Sequence, residues 1–221
     1  MSKSTKLIIF DFDGTLGDTR RNIVVTMQDV MQEMGLAVQD ESTCAATIGM
    51  PLRGCYAAMF PNLTAAELDR CAELHRIHFA ENLKRITPKP FPQVIETIHT
   101  LRELGVALAI ASSRTSESLR ELTASMGMAR HFQCIIGAGE VAKAKPNAEP
   151  VLKVLAETGF KAEDTLVVGD MDVDILMGRN ARTKTCGVTW GNGKREELVS
   201  TGADYIINSM EELPTLITAS A

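Results

Sequence analysis

The segment Leu7–Leu16, with the sequence LIIFDFDGTL, constrains the fold of this chain more than any other stretch. Its first four residues are apolar and rich in isoleucine and phenylalanine, and so short a run predicts a buried strand. Asp11 and Asp13 follow, next to Gly14. Ligands bind beyond the carboxyl ends of strands in open α/β sheets, and crowded carboxylates repel each other unless a cation lies between them. We therefore expect a hard-metal site here; the alternative is an acidic turn that merely ends a strand.

From Pro88 onward, short apolar runs alternate with helical patterns. Such alternation indicates βαβ units and hence a Rossmann-like, mostly parallel α/β sheet with helices on both faces. Strands are predicted within 106–111, 134–136, 165–169, 185–190 and 203–207. Helices are predicted over 116–126, 148–158 and 172–180, with one more at the end of the chain.

Residues 19–86, by contrast, show helical periodicity and no strand pattern. Met27, Met31 and Met34 repeat at helical spacing before Gly35, and a second helix is predicted from Thr64 to Arg85. This block separates the first strand from the others. We therefore expect an all-helical cap domain, residues 18–87, inserted into a core domain formed by residues 1–17 and 88–221.

The composition of the chain limits the binding partners and the cellular compartment that we expect for it. The net charge of −5 argues against a nucleic-acid or anionic-membrane surface. Five cysteines are an odd number without CxxC spacing, which suggests reduced thiols, and no apolar stretch of about 18 residues predicts a membrane span. We expect a cytoplasmic protein, monomeric or homodimeric, that binds neither nucleic acid nor membrane.

Polar side chains recur where later strands of the predicted sheet end. Because the carboxyl ends of parallel strands share one edge, these groups should converge on Asp11 and Asp13. Carboxylates, hydroxyls and a lysine suit a divalent oxygen-liganded cation together with a phosphate group, whereas zinc would favour histidine and cysteine. The converging residues are Ser112, Ser113, Arg114, Lys145, Asp170, Asp172 and Asp174.

In this order, the motifs resemble those of the haloacid dehalogenase-like hydrolases, whose phosphatase branch opens with DxDGT. The resemblance implies that Asp11 is a nucleophile that takes the phosphoryl group and that Asp13 is the general acid and base. It implies that Lys145 screens negative charge, with Lys143 as a less favoured substitute. Mg²⁺ would be bound by Asp11, the backbone carbonyl of Asp13, Asp170 and Asp174. Substrate-binding roles are expected for Thr15, Ser112, Ser113, Arg114 and Arg53.

The subgroup that the chain resembles is that of the phosphoglycolate phosphatases with a C1-type helical cap. The resemblance rests on Asp18-Thr19, Trp190-Gly191 and the tail from Gly202 to Ile207. It implies a Mg²⁺-dependent phosphatase that hydrolyses small phosphorylated metabolites, 2-phosphoglycolate first, through an aspartyl-phosphate. The alternatives are a sugar phosphomutase of the β-phosphoglucomutase type, an inorganic pyrophosphatase and, from another class, a receiver-type phosphoacceptor module.

Specificity is expected to come from the cap. The loop Ile48–Arg53 resembles the family's substrate-facing loop, and Arg53 is a candidate for holding a second anionic group of the substrate. The alternative is an inter-helix turn with a solvent-exposed arginine.

Overall fold

The computed structural model of the chain describes residues 5–219. Over these residues the strands are β1 (Leu7–Phe10), β2 (Gly17–Asp18), β3 (Lys89–Pro90), β4 (Ala107–Thr115), β5 (Cys134–Ala138), β6 (Thr165–Gly169), β7 (Lys184–Val188) and β8 (Tyr205–Ile207). The α-helices are α1 (Arg20–Glu33), α2 (Glu41–Ala45), α3 (Leu52–Met59), α4 (Ala65–Asn82), α5 (Val94–Glu103), α6 (Ser116–Ser125), α7 (Glu149–Thr158), α8 (Asp172–Asn180), α9 (Arg195–Thr201) and α10 (Glu212–Ala219).

Six of the strands form one parallel sheet with β1 at its centre. The order is β5-β4-β1-β6-β7-β8, and Leu7 pairs with Ala107 on one side and with Thr165 on the other. All four residues of β1 are buried because both faces of the sheet are covered. Ile8 and Phe10 enter one hydrophobic cluster, whereas Leu7 and Ile9 enter the other. The predicted α/β fold is confirmed.

The two clusters place helices on opposite faces of the sheet. The cluster around Ile8 and Phe10 includes apolar residues of α5, α6 and α10. It also includes residues of the four helices α1–α4. The cluster around Leu7 and Ile9 includes Val151 and Val154 of α7 and Met177 of α8. Successive side chains of β1 thus point into two different hydrophobic cores, so neither face of the strand is polar.

Helices α1–α4, residues 20–82, form a segment between β2 and β3, called the helical segment below. Helix α4 begins with a capping box, in which the Thr64 N–H donates to Glu67 Oε2 (2.8 Å) and the Glu67 N–H donates to Thr64 Oγ1 (3.3 Å). Helix α1 is followed by Gly35 in the left-handed region at φ 66°. Met27 and Met31 of α1 join the same core cluster as Phe79 of α4.

The connections between the helical segment and the sheet are paired with each other. Gly17 pairs with Pro90 and Asp18 with Lys89 in an antiparallel two-stranded ribbon. Sequence patterns predicted domain limits at residues 17–18 and 87–88 but not the pairing of these connections, because two-residue strands leave no periodic signal.

Three further elements differ from the sequence expectations. Strand β4 runs to Thr115, beyond the apolar run, with an irregular register between Ala111 and Thr115. Helix α5 was not predicted; its N-cap residue Gln93 lies at φ 58° and makes no side-chain capping hydrogen bond. Helix α9 was not predicted either, since its seven residues are mostly polar. Over residues 5–219, none of the helices combines the length and the apolar character needed to span a bilayer.

Candidate active site

Three buried carboxylates meet at the carboxyl ends of β1 and β6. Asp11 follows β1, Asp170 follows β6, and the two strands are neighbours in the sheet. Asp174 lies in the first turn of α8, where its Oδ2 accepts the Met171 N–H (3.0 Å). Carboxylate oxygens of the three residues lie within 4.8 Å of one another. We call Asp11, Asp170 and Asp174 the carboxylate cluster.

Lys145, in the loop between β5 and α7, is buried beside this cluster. Its Nζ donates to Asp11 Oδ1 (2.6 Å) and to Asp174 Oδ1 (2.6 Å). Burial alone would lower the pKa of Lys145, but the attraction of Asp11 and Asp174 outweighs burial and raises the pKa above its ordinary value. The ammonium is therefore permanently charged at physiological pH. Lys143 is exposed and has no such contact.

The carboxylate cluster carries more negative charge than Lys145 neutralises. Burial raises the pKa of Asp11 to about 6; Lys145 opposes this shift, while Asp174 and Asp13 add to it. Burial raises the pKa of Asp170 to about 8, with further contributions from Asp174 and Asp11. Three buried carboxylates around one ammonium fit a hard divalent cation with oxygen ligands such as Mg²⁺.

The Asp13 side chain has hydrogen-bond partners outside the carboxylate cluster. Its Oδ1 accepts from Arg114 Nη2 (2.7 Å) and from Thr19 Oγ1 (2.6 Å), and its Oδ2 accepts from Arg114 Nε (3.0 Å). Asp13 and Asp11 thus have different surroundings although one residue separates them. The roles that the resemblance implies, nucleophile for Asp11 and general acid and base for Asp13, stay predictions.

Arg114 joins the sheet to the helical segment. Its guanidinium lies over the ring of Phe79 in α4, 4.4 Å from the ring centroid, while it also holds Asp13. The neighbouring Ser113 donates its hydroxyl to the Gly49 carbonyl of the helical segment (2.7 Å). Ser112 is buried, and its Oγ accepts the Arg114 N–H (3.4 Å).

Two expected substrate-binding residues have partners that the sequence did not suggest. Thr15 donates its hydroxyl to Asp170 Oδ1 (3.0 Å), so it supports the carboxylate cluster. Arg53, in α3, lines a cavity but forms an ion pair with Asp69 (Nε to Oδ1, 3.2 Å), and half of its side chain is exposed. This pairing favours the alternative interpretation of Arg53 as a surface arginine.

The loop after β7 completes the site, and sequence reasoning missed it as a functional element. The Asn192 N–H donates to Asp170 Oδ2 (2.7 Å), and the Trp190 indole N–H donates to the Thr15 carbonyl (3.1 Å). A Cβ on Gly14 or Gly191 would overlap the Asp170 carboxylate. The Trp-Gly pair was the only signal for this loop, and it carried no hint of contact with Asp170.

A cavity of about 430 Å³ opens above Asp11 and Asp13, between the strand ends and the helical segment. Its walls include Ser112, Ser113 and Arg114 from β4 and residues of α1, α3 and α4. Asp11 and Asp13 thus share one cleft with these three residues of β4, as expected for a ligand site at a sheet edge.

Comparison with known proteins identifies the family of this chain. The family described as haloacid dehalogenase-like hydrolase matches residues 8–188. A phosphoglycolate phosphatase of Aquifex aeolicus is 30% identical over 212 residues, covering 96% of each chain. The pyrophosphatase PpaX of Anoxybacillus flavithermus is 31% identical over 210 residues, covering 95% of each chain. A solved haloacid dehalogenase-like hydrolase of Streptococcus pneumoniae superposes with a TM-score of 0.87 at 23% identity, covering 98% of this chain and 99% of its own, and so supports the fold. The chain belongs to the haloacid dehalogenase-like hydrolases.

Proposed function

We propose that this hydrolase is a Mg²⁺-dependent phosphatase that cleaves small phosphomonoesters through an aspartyl-phosphate on Asp11. The observation that carries the proposal is the buried Asp11 carboxylate, which is held by Lys145 beside Asp170 and Asp174 at the floor of a cavity. Mg²⁺ bound by the carboxylate cluster would neutralise charge that otherwise repels a phosphate dianion.

The residues of the chain account for each proton and bond in two displacements. In the first, an Asp11 oxygen attacks phosphorus, the bond from phosphorus to the ester oxygen breaks, and Asp13 gives its proton to the departing oxygen. In the second, Asp13 removes a proton from water, the water oxygen attacks phosphorus, and inorganic phosphate leaves with Asp11 restored. Arg114 and Thr19 hold the Asp13 carboxyl in place for both steps.

The helical segment is proposed to act as a cap, with the domain limits expected above at residues 17–18 and 87–88. Two contacts support this role because they join the cavity walls across the cleft. They are the hydrogen bond from Ser113 to Gly49 and the stacking of Arg114 on Phe79. The ribbon of β2 and β3 is the place where such a cap would turn. Closure would exclude water from the aspartyl-phosphate until hydrolysis.

The partner is proposed to be a small phosphorylated metabolite and not a nucleic acid. The volume of about 430 Å³ suits a small molecule, and the net charge of −5 disfavours a polyanion. Pyrophosphate is a second candidate because a relative that is 31% identical is a pyrophosphatase. The five cysteines are buried thiols without disulfides, which supports the cytoplasm as the location.

Phosphate release from p-nitrophenyl phosphate, measured with Mg²⁺ and after chelation by EDTA, tests the proposal. We expect turnover with Mg²⁺, loss with EDTA, and transient ³²P labelling that hydroxylamine removes. Asp11→Asn should abolish the label, whereas Asp172→Asn, an equivalent change just outside the carboxylate cluster, should retain it. Full turnover in EDTA would overturn the metal assignment, and a label that persists in Asp11→Asn would overturn the nucleophile.

A further inference from the structure

The wall of the cavity above the carboxylates is largely apolar. Helix α1, helix α4 with the residue that follows it, the loop of residues 48–51 and the first turn of α3 supply most of it. Residues of these elements bring aliphatic, thioether and aromatic side chains together. These residues are Met27, Ile48, Met50, Leu52, Phe79 and Leu83. Met50 and Leu83 are partly exposed, so a bound molecule can cover them.

The cations at the cavity already have partners or lie at its rim. The Arg114 guanidinium donates to Asp13 through Nη2 and to Ser118 through Nη1 (3.1 Å), and one of its faces lies over Phe79. Arg53 is paired with Asp69. Arg76, on α4, is exposed at the rim of the cavity. Glu117 and Glu121 lie at the same rim, so Arg76 does not give the cavity a net positive charge.

The histidine inside the cavity is neutral. His75 is buried, and its Nδ1 lies 2.9 Å from the Tyr56 hydroxyl, while its ring stacks on Phe79. Burial, reinforced by Arg114, lowers the pKa of His75 to about 3. His75 therefore presents an uncharged ring to the cavity and cannot pair with a carboxylate there.

These observations bear on the leaving group of the substrate. A leaving group with its own carboxylate, such as glycolate, would lose its hydration against this apolar wall, and that loss is costly. Among the residues that line the cavity, the cation outside an ion pair is the exposed Arg76, which shares the rim with Glu117 and Glu121. An uncharged alkyl or aryl group would instead cover the apolar wall and gain free energy in proportion to its buried area. We propose that the phosphate ester hydrolysed by this protein has an uncharged, largely apolar leaving group. This inference rests on the proposed phosphatase activity and replaces 2-phosphoglycolate as the expected substrate.

A series of primary alkyl phosphates tests the proposal without changing the chemistry of the leaving group. Ethyl, butyl and hexyl phosphate release alcohols of similar acidity, so differences in kcat/KM report on binding along the cavity wall. We expect kcat/KM to rise about fourfold per methylene, or roughly 250-fold over the four methylenes from ethyl to hexyl phosphate. Benzyl phosphate should also exceed 2-phosphoglycolate, and pyrophosphate should be poor.

Substitutions at the wall locate the effect. Leu83→Ser and, independently, Met50→Ser should lower kcat/KM for hexyl phosphate by roughly three- to tenfold and flatten the dependence on chain length. The matched control is Ile77→Ser, which changes an exposed apolar residue of α4 that does not line the cavity. It should change the dependence by less than about twofold. Thermal melting of each variant confirms that it is folded.

The outcomes separate this inference from the proposed function. A rise with chain length that both wall variants flatten and Ile77→Ser retains supports the apolar leaving group. A flat series, or a preference for 2-phosphoglycolate over hexyl phosphate, overturns the inference but leaves the phosphatase intact. Absence of turnover for every ester in the presence of Mg²⁺ overturns the phosphatase itself.

Discussion

Asp11→Asn should abolish catalysis and, in the absence of metal, make the protein more stable at pH 8. The amide has almost the same shape as the carboxylate but is a poor nucleophile, so kcat should fall by roughly 10³-fold or more. The gain in stability comes from removing one of three clustered buried carboxylates, of which Lys145 binds only Asp11 and Asp174.

The size of this gain follows from the pKa of Asp11. Folding raises this pKa from 3.8 to about 6, so the charged form is disfavoured in the folded protein. A carboxyl whose pKa is raised contributes stability at low pH and loses it as pH rises through the folded pKa. At pH 8 this loss amounts to about 3 kcal/mol. Lys145 loses a partner in the variant, so we expect a net gain of about 1–2 kcal/mol, or about 2–8 °C in Tm.

The assay is thermal unfolding in EDTA at pH 5 and pH 8, and again at pH 8 with Mg²⁺. The advantage of Asp11→Asn should be large at pH 8, shrink at pH 5 where Asp11 takes up a proton, and reverse when Mg²⁺ stabilises only the wild type. Asp172→Asn is the control and should stay within about 0.5 kcal/mol of wild type. If Asp11→Asn is less stable than wild type at pH 8 in EDTA, the excess negative charge assigned to the carboxylate cluster is wrong.

Three further results are expected. Mg²⁺ affinity should rise between pH 6 and pH 8 because the pKa values of Asp11 and Asp170 are raised, so that the metal must displace protons to bind. Calorimetry in buffers of different ionisation enthalpy measures this proton release. An affinity that does not depend on pH would contradict the prediction. Asp13→Asn should slow hydrolysis by roughly 10²–10⁴-fold, less for esters with acidic leaving groups, and an equal loss for all esters would refute its role as an acid. Ser113→Ala removes the hydrogen bond to Gly49 across the cleft, so KM should rise by roughly two- to tenfold with little change in stability; an unchanged KM would argue against closure by this contact.

The sheet was predictable because its strands carry strong local signals. Residues 165–169 and 172–180 form the predicted strand and helix with the predicted limits, since an apolar β-branched run and a helical repeat are each local properties. Parallel connectivity implies that Asp11 and Asp170 lie at the same edge of the sheet. The strand order, which places β6 next to β1, then brings them side by side, and local patterns do not predict that order.

The contacts that shape the site were less accessible to sequence reasoning. The Arg114–Phe79 stacking joins residues from the sheet edge and a helix of a different segment, so no local pattern marks it. Thr15 looked available to a substrate until the fold placed it against Asp170. The apolar wall of the cavity likewise follows from how α1 and α4 pack, because their apolar repeats alone are equally consistent with an ordinary core.

The close approach of Gly14 and Gly191 to Asp170 limits the sides from which a cation can reach the Asp170 carboxylate. The two glycines cover one flank of the carboxylate with no space even for a methyl group, and the Thr15 hydroxyl and the Asn192 N–H also donate to it. A cation shared by Asp170, Asp11 and Asp174 would therefore lie on the side that faces Asp11, which lines the cavity. Because Gly14 and Gly191 are not part of the cavity wall, we expect substitutions in that wall to leave the access of a cation to Asp170 unchanged.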